Sequence, residues 1–325
     1  MPKYLITGVA GFIGSSLAHA LLKRGDSVRG IDNFSTGKTE NIEDIRDRID
    51  FREADLLDLG AMRDACRGVD YVLHQAAIAS VPRSVEDPVT THRSNVDGTL
   101  NLLLAARDAK VRRVVYASSS SLYGDTPMLP KHEAMLPDPI SPYAVSKLTG
   151  EYYMTSFYRV YGLEAVSLRY FNVFGPRQDP SSMYSGVLAI FISRMLRGEA
   201  PTIFGDGEQS RDFTFIDNVV AGNLLACSAP AGEVAGRAFN LATGARVTLN
   251  HTYNVLQKIT GFAKPAKYGP ERAGDIKHSL ADVTLAHKHL GYRTLVNFED
   301  GLRRTVDWYR ERAARAEVTQ TSTNR

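Results

Sequence analysis

Strand-like and helix-like hydrophobic periods alternate from Lys3 to Tyr170, and no other feature of the chain limits its fold so tightly. The strand candidates are Lys3–Thr7, Ser27–Ile31, Ile49–Glu53, Asp70–His74, Arg112–Ala117 and Glu164–Tyr170, rich in Val, Ile, Leu and Tyr. Most are separated by segments of helical period: Gly14–Arg24, Leu59–Cys66, Val89–Ala109 and Pro142–Tyr161. This βαβ alternation predicts an α/β fold built on a doubly wound parallel sheet. After about residue 171 the rhythm breaks, and Gly175-Pro176, Asp179-Pro180, Gly205-Asp206-Gly207 and Gly232 punctuate shorter elements. The expectation is a sheet domain over 1–170, a smaller C-terminal α/β lobe over 171–315 whose strands can interleave with it, and a frayed tail over 316–325.

Composition removes several classes of function. The chain has 325 residues, 43% hydrophobic and 23% charged, ample for a large core. Its net charge of +3 and pI near 8.7 come without a Lys/Arg block, so a nucleic-acid partner is not expected. Cys66 and Cys227 are far apart, with neither metal-ligand spacing nor a disulfide framework, which fits a reducing cytoplasm and no metal. No apolar run is long enough to span a bilayer, and a strand begins at Lys3, so neither a membrane anchor nor a signal peptide is expected.

The first strand runs into Thr7-Gly8-Val9-Ala10-Gly11-Phe12-Ile13-Gly14. Glycines at a strand–turn–helix junction let a pyrophosphate approach the backbone, and the helix N-terminus supplies N–H groups and partial positive charge. The spacing is G-x-x-G-x-x-G rather than the commoner G-x-G-x-x-G. Asp32, closing the second strand before Asn33, can accept hydrogen bonds from an adenosine ribose and would repel a 2′-phosphate. A Rossmann sheet binding NAD rather than NADP follows. Asp55-Leu56 after the third strand is placed to frame the adenine, and the small residues of Gln75-Ala76-Ala77 after the fourth lie where the cofactor backbone should run.

Downstream, Ser141-Pro142 starts a helix that carries Tyr143 and Lys147 one turn apart on one face. A phenol with an ordinary pKa near 10 is a poor base at neutral pH. A nearby ammonium and an oxidised nicotinamide ring would favour the phenolate. In isolation the pair would be a surface Tyr–Lys contact; beside a dinucleotide motif it points to proton transfer coupled to redox chemistry. The run Ser118-Ser119-Ser120-Ser121 follows the fifth strand at the edge where ligands bind, so it can supply a hydroxyl to the reacting oxygen. A non-catalytic dinucleotide sensor has no use for this combination.

These residues, with Ile31-Asp32-Asn33, His74-Gln75-Ala76-Ala77, Arg169-Tyr170-Phe171-Asn172-Val173-Phe174-Gly175-Pro176, Gly205-Asp206-Gly207, Ser210-Arg211-Asp212-Phe213 and Arg272-Ala273-Gly274-Asp275, resemble the extended short-chain dehydrogenase/reductase family. Within it the nucleotide-sugar epimerases are most similar, from Tyr4 to about Tyr309. The resemblance implies Tyr143 as base, Lys147 as its activator and a cofactor ribose ligand, and Ser119 as hydrogen-bond partner of the sugar oxygen. It implies Asn172, Arg211 and Arg272 on UDP, the arginines on the diphosphate. It adds Ser80, Arg83, Ser120, Asp275 and Ser279 to the substrate set. In the family the helices matching Val89–Ala109 and Pro142–Tyr161 form a four-helix interface, implying a homodimer.

Related dehydratases and decarboxylases carry acidic residues where this chain has Ser120 and Ser121. Without them the resemblance implies C4 epimerisation of a UDP-sugar through a 4-keto intermediate, with tightly held NAD. Ser80-Val81-Pro82-Arg83-Ser84, Pro176-Arg177-Gln178-Asp179-Pro180 and His278-Ser279-Leu280-Ala281-Asp282 most resemble bacterial UDP-N-acetylglucosamine 4-epimerases. There the position of Ser279 gates the pocket, and a small side chain leaves room for an N-acetyl group. A UDP-glucuronate epimerase or decarboxylase is the alternative. Asp179 stands near where glucuronate epimerases carry a further Arg, and an acidic side chain there is expected to disfavour a sugar carboxylate.

Overall fold

The computed structural model describes residues 1–180, 186–271 and 277–323. Six strands of the first half are β1 (Lys3–Thr7), β2 (Ser27–Asp32), β3 (Asp50–Glu53), β4 (Tyr71–His74), β5 (Arg113–Ser119) and β6 (Glu164–Tyr170). Together with Arg237–Leu241 from the second half they make one sheet, ordered Arg237–Leu241, β6, β5, β4, β1, β2, β3. Every pairing in it is parallel. Chain order runs outward in opposite directions from β1 and β4, so a crevice opens at their C-terminal ends, the usual ligand position in such sheets.

Helices on both faces explain why the central strands can be apolar on both sides. Tyr4, Ile6, Leu73, Val115 and Leu168 join one core with Leu17 and Leu21 of α1 (Phe12–Lys23). Leu5, Val72 and Val114, pointing the opposite way, join another with α2 (Leu59–Cys66) and residues farther along, including Leu102, Met154 and Phe157. Each fully buried Leu or Ile contributes roughly 1.5–3 kcal/mol before chain entropy is set against it.

Two departures from the expected boundaries bear on the site. The predicted helix Val89–Ala109 is divided among α4 (Pro88–His92), a widened turn Arg93–Asp97 and α5 (Gly98–Asp108); α3 (Val81–Glu86), too short to show a period, precedes it. The widened turn aims Asn95 inward, where its side chain bonds both backbone groups of Ile78. The fifth strand also runs two residues beyond the predicted Ala117, because Ser118 and Ser119 pair with Arg169 and Tyr170 of β6. The second half adds small two-stranded pairings, among them Val173–Phe174 with Thr214–Phe215 and Ser210–Arg211 with Val247–Thr248. Among the described residues no helix is long and apolar enough to cross a membrane.

Candidate active site

The C-terminal ends of β1, β2 and β4 and the start of α1 enclose a cleft. Its wall includes Gly8, Gly11, Phe12, Ile13 and Gly14 from the first turn, Asp32 and Asn33 from the second, Asp55 and Leu56 from the third, and Gln75, Ala76 and Ala77 from the fourth. Gly8 has φ +71, and a Cβ there would lie 2.8 Å from the Ala76 nitrogen. A Cβ on Gly14 would collide with the Gly8 carbonyl. No side chain caps α1 and its first turn holds no acid, which leaves the helix end suited to an anion. Asp32 is buried and accepts the Ala10 amide at 2.8 Å and the Phe34 amide at 2.9 Å. Burial raises its carboxyl, those two bonds oppose the rise, and each oxygen keeps acceptor capacity for a ribose hydroxyl. Asn33 ties to Asp55 at 2.8 Å. A glycine cradle, an uncapped helix end and a carboxylate beyond them fit NAD.

The side chains expected to react come from β5 and α6 (Pro142–Tyr161). α6 starts where Ser141 Oγ accepts the Ala144 amide at 3.2 Å and Pro142 takes the first position; it stops at Gly162 with φ +70. Its start is anchored by the Tyr143 amide donating to Ser84 Oγ of α3 at 3.0 Å. Lys147 is buried, donates to the Ala117 carbonyl at 2.8 Å, and lies 6.0 Å from the Tyr143 ring centroid. Burial draws its ammonium down to about 7. Burial also pushes the Tyr143 phenol above its usual range, and a side-chain hydrogen bond with Ser119 offsets part of the rise. Burial thus works against both charged forms, and the favouring of the phenolate expected from the ammonium and an oxidised nicotinamide together is a matter for the NAD-bound protein. Ser119 Oγ already accepts the Ser121 amide at 3.1 Å, which leaves its proton for the phenol oxygen.

Two buried polar chains hold these elements. In the first, Ala76 N–H donates to Thr7 Oγ1, Thr7 bonds His74 Nδ1 at 2.7 Å, and His74 Nε2 bonds Thr99 Oγ1 at 2.9 Å. Thr99 gives its hydroxyl proton to the Asn95 carbonyl at 2.6 Å, so His74 must be the donor at Nε2 and the acceptor at Nδ1. Asn95 continues to Ser146 Oγ at 3.0 Å, and Ser146 to the Tyr143 carbonyl at 2.7 Å. In the second, Arg169 grips Glu151 with two bonds of 2.9 and 2.8 Å, Ser118 donates to the same carboxylate at 2.5 Å, and Arg169 reaches Tyr123 at 2.8 Å. Tyr123 then donates to Asn240 at 2.7 Å. The first chain links the glycine turn to α6; the second links α6 to β5, β6 and the strand Arg237–Leu241.

Among the residues expected to meet the sugar nucleotide, Asn172 donates to the Asp212 carbonyl at 3.1 Å, and Arg211 Nη1 donates to the carbonyls of Ser210 and Lys277 at 3.1 and 3.2 Å. The Ser279 amide donates to the Ser210 carbonyl at 3.0 Å. Asp212, fully buried, accepts from Thr243, Gly244 and Ala281 and so ties the same segments together. Asn172, Arg211 and Ser279 are thus gathered from distant sequence. Ser80 accepts the Arg83 amide at 3.2 Å as the cap of α3; Ser120 begins the turn after β5. Arg272 and Asp275 lie outside the described residues.

The profile of the NAD dependent epimerase/dehydratase family matches residues 4–242. The chain belongs to that family. A UDP-glucose 4-epimerase of Mycolicibacterium smegmatis is 38% identical over 317 residues, 96% of this chain and 99% of that protein. The structure of a UDP-N-acetylglucosamine 4-epimerase from Methanobrevibacter ruminantium in complex with UDP-N-acetylmuramic acid superposes with a TM-score of 0.91 at 39% identity, covering 96% of this chain and 99% of that one. A UDP-glucuronate 4-epimerase of Thermodesulfobacterium geofontis is 34% identical over 324 residues, 96% of this chain and 97% of that protein. Family, parallel sheet and NAD as cofactor agree with expectation; three sugar classes within a few per cent of identity leave the sugar to the chemistry of the site.

One expectation about this family member needs correction. Asp179 lines the dinucleotide cleft and pairs with Lys38 at 2.7 Å. With its charge matched there, it gives no reason to exclude a sugar carboxylate. The cleft also takes in Thr7, Lys38, Asn41 and Arg177, none expected as cofactor contacts. Lys38 and Asn41 carried no motif; both are held by the Ala10 carbonyl, at 3.0 and 2.8 Å. Arg177 stood in a motif that was read only for the sugar.

Proposed function

We propose that this enzyme interconverts the C4 epimers of a UDP-sugar, with UDP-N-acetylhexosamines preferred and UDP-hexoses also accepted. The observation that carries it is the placement of Lys147 Nζ 6.0 Å from the Tyr143 ring, beside a serine run with no carboxylate at 120 or 121. Tyr143 takes the proton of the sugar 4-hydroxyl, and Ser119 holds that oxygen. NAD, held by the glycine turn and Asp32, would supply the hydride acceptor and donor that oxidation and reduction at C4 require. When the 4-keto ring presents its opposite face, Tyr143 returns the proton and the configuration at C4 is inverted. Lys147, low at about 7 by burial alone, is placed on the cofactor ribose, and a charge change there alters the Tyr143 proton affinity. Dehydration needs an additional acid or base at the sugar. Glu151, the carboxylate bonded to this run, is engaged by Arg169 and Ser118 and serves structure instead.

Asn172, Arg211 and Arg272 are proposed for UDP, Ser80, Arg83, Ser120 and Asp275 for the sugar-nucleotide pocket, and Ser279 for the N-acetyl end. UDP-glucuronate is the second reading, favoured by the pairing of Asp179 with Lys38. Incubation without added NAD of UDP-GlcNAc, UDP-glucose and UDP-glucuronate, each alone, followed by anion-exchange chromatography, tests this. UDP-GalNAc forming fastest supports the first reading. UDP-galacturonate or a pentose product alone supports the second and overturns the first.

A homodimer through the helices of Val89–Ala109 and α6, with the adjoining α3, is part of the same proposal. Val85, Val89 and Tyr152 of these helices are 65%, 67% and 62% exposed, an apolar face for a second copy. Light scattering that returned the monomer mass would refute it.

A further inference from the structure

Arg177 enters the dinucleotide cleft from the second half of the chain, in the loop that follows the Val173–Phe174 strand. Its backbone has φ +70, a region that residues other than glycine adopt at a cost. Its Nε is buried and, among the described residues, has no hydrogen-bond partner. Among the described residues Nη2 makes a single long contact, 3.5 Å to Ser16 Oγ on α1 just behind the glycine turn. Burial holds the guanidinium below its ordinary value; the carboxylates that oppose this, Asp44 and Asp217, are engaged elsewhere, with His19 at 3.0 Å and Arg304 at 3.1 Å. A buried guanidinium N–H without an acceptor is destabilising unless something supplies one. The same wall of the cleft carries the glycine cradle and the α1 N-terminus, which suit an anion.

We propose that Arg177 is a pyrophosphate clamp for NAD, a ligand group contributed by the substrate half of the chain. This rests on NAD occupying the cleft, as the proposed function requires. The planar fork of Arg matches paired phosphate oxygens. The clamp has a second fastening: Asp179, two residues on, is bonded to Lys38, whose own amide is held by the Ala10 carbonyl of the glycine turn. Arg177 and Asp179 thus fasten the same loop to the wall of the cleft. Such a clamp would serve the proposed function, which needs a cofactor that stays bound between oxidation and reduction at C4.

Binding of etheno-NAD, ADP and adenosine to the wild-type protein, Arg177→Gln and Arg177→Lys tests the clamp, with dissociation of etheno-NAD followed by fluorescence. Arg177→Gln is expected to weaken NAD and ADP by about 10- to 100-fold, the worth of one to two charge-assisted hydrogen bonds. Adenosine should bind unchanged, Arg177→Lys should recover part of the loss, and the salt dependence of NAD binding should flatten in the Gln variant. Equal NAD and ADP affinity in wild type and Arg177→Gln overturns the clamp, and so does an equal loss for adenosine, which would mark simple damage to the cleft. If Arg177→Gln does not fold, Arg177→Lys carries the comparison, weakened ADP supporting the clamp and unchanged ADP refuting it. A wild-type protein that binds no NAD would instead remove the reading on which the clamp rests.

Discussion

The dinucleotide side and the sugar side of this molecule are built in different ways. On the first, most of the wall comes from turns that directly follow strands of one parallel sheet, so the backbone itself sets the geometry. On the second, Asn172, Arg211 and Ser279 are joined by hydrogen bonds among short segments: Arg211 and Ser279 share the Ser210 carbonyl, and Asn172 donates to Asp212, whose carboxylate also holds Thr243, Gly244 and Ala281. A cradle made by sheet edges suits a cofactor that never changes. A pocket assembled from loop segments can be resized by one side chain without disturbing the sheet, which is how one fold serves several sugars.

The largest expected effect separates chemistry from both kinds of binding. Tyr143→Phe should lower turnover by about 10²- to 10⁴-fold, the usual worth of a positioned acid–base group, while the NAD content of the purified protein stays the same. Loss of NAD with activity would mean that the hydroxyl serves the cradle instead. Next is the charged chain beneath the reacting centre. Arg169→Met leaves Glu151 buried and unpaired and should cost about 3–5 kcal/mol in urea unfolding, with part recovered when Glu151→Leu is added. Equal stability of wild type and Arg169→Met would show that the pair holds nothing together.

The neutral chain on the dinucleotide side predicts a pH dependence. Burial pulls His74 from 6.5 to about 3, so between those values the unfolded chain takes a proton that the folded chain refuses. The His74 contribution is complete above about pH 6.5 and declines as pH falls toward 3, by roughly 1.4 kcal/mol per pH unit. Urea midpoints at pH 7 and pH 5 should differ more for wild type than for His74→Asn; the same difference in both would place the acid sensitivity elsewhere. The smallest effect belongs to the sugar side. Ser279→Tyr should reduce turnover of UDP-GlcNAc relative to UDP-glucose by about 10- to 200-fold and leave NAD binding alone. If both sugars fell together, Ser279 would be a scaffold residue.

Sequence legibility follows the same division. Gly8, Gly11, Gly14 and Asp32 sit in one βαβ unit, so local spacing was enough to place them on one cleft. Tyr143 and Lys147 were readable because a Ser-Pro start and a helical period place both on one face. Arg177 was hidden by distance: it lines the cleft 163 positions after Gly14, and no local period reports such closure. Glu151 reads as one more polar residue of an amphipathic helix, and only its bonds to Arg169 and Ser118 reveal a fixed ion pair. Asp179 shows the opposite case: its motif points to the sugar, while its partner Lys38 lies 141 positions earlier, where no local pattern marks it.

The central claim is that C4 is oxidised and reduced within one bound complex, and an isotope at that carbon tests it most directly. UDP-GlcNAc carrying deuterium at C4 would be incubated with the purified protein, no NAD added, and the UDP-GalNAc formed would be analysed by mass spectrometry and proton NMR. The account predicts UDP-GalNAc with the deuterium still at C4, since the hydride that leaves is the one that returns. UDP-GalNAc with solvent hydrogen at C4, or no C4 epimer from any of the three UDP-sugars, would contradict it.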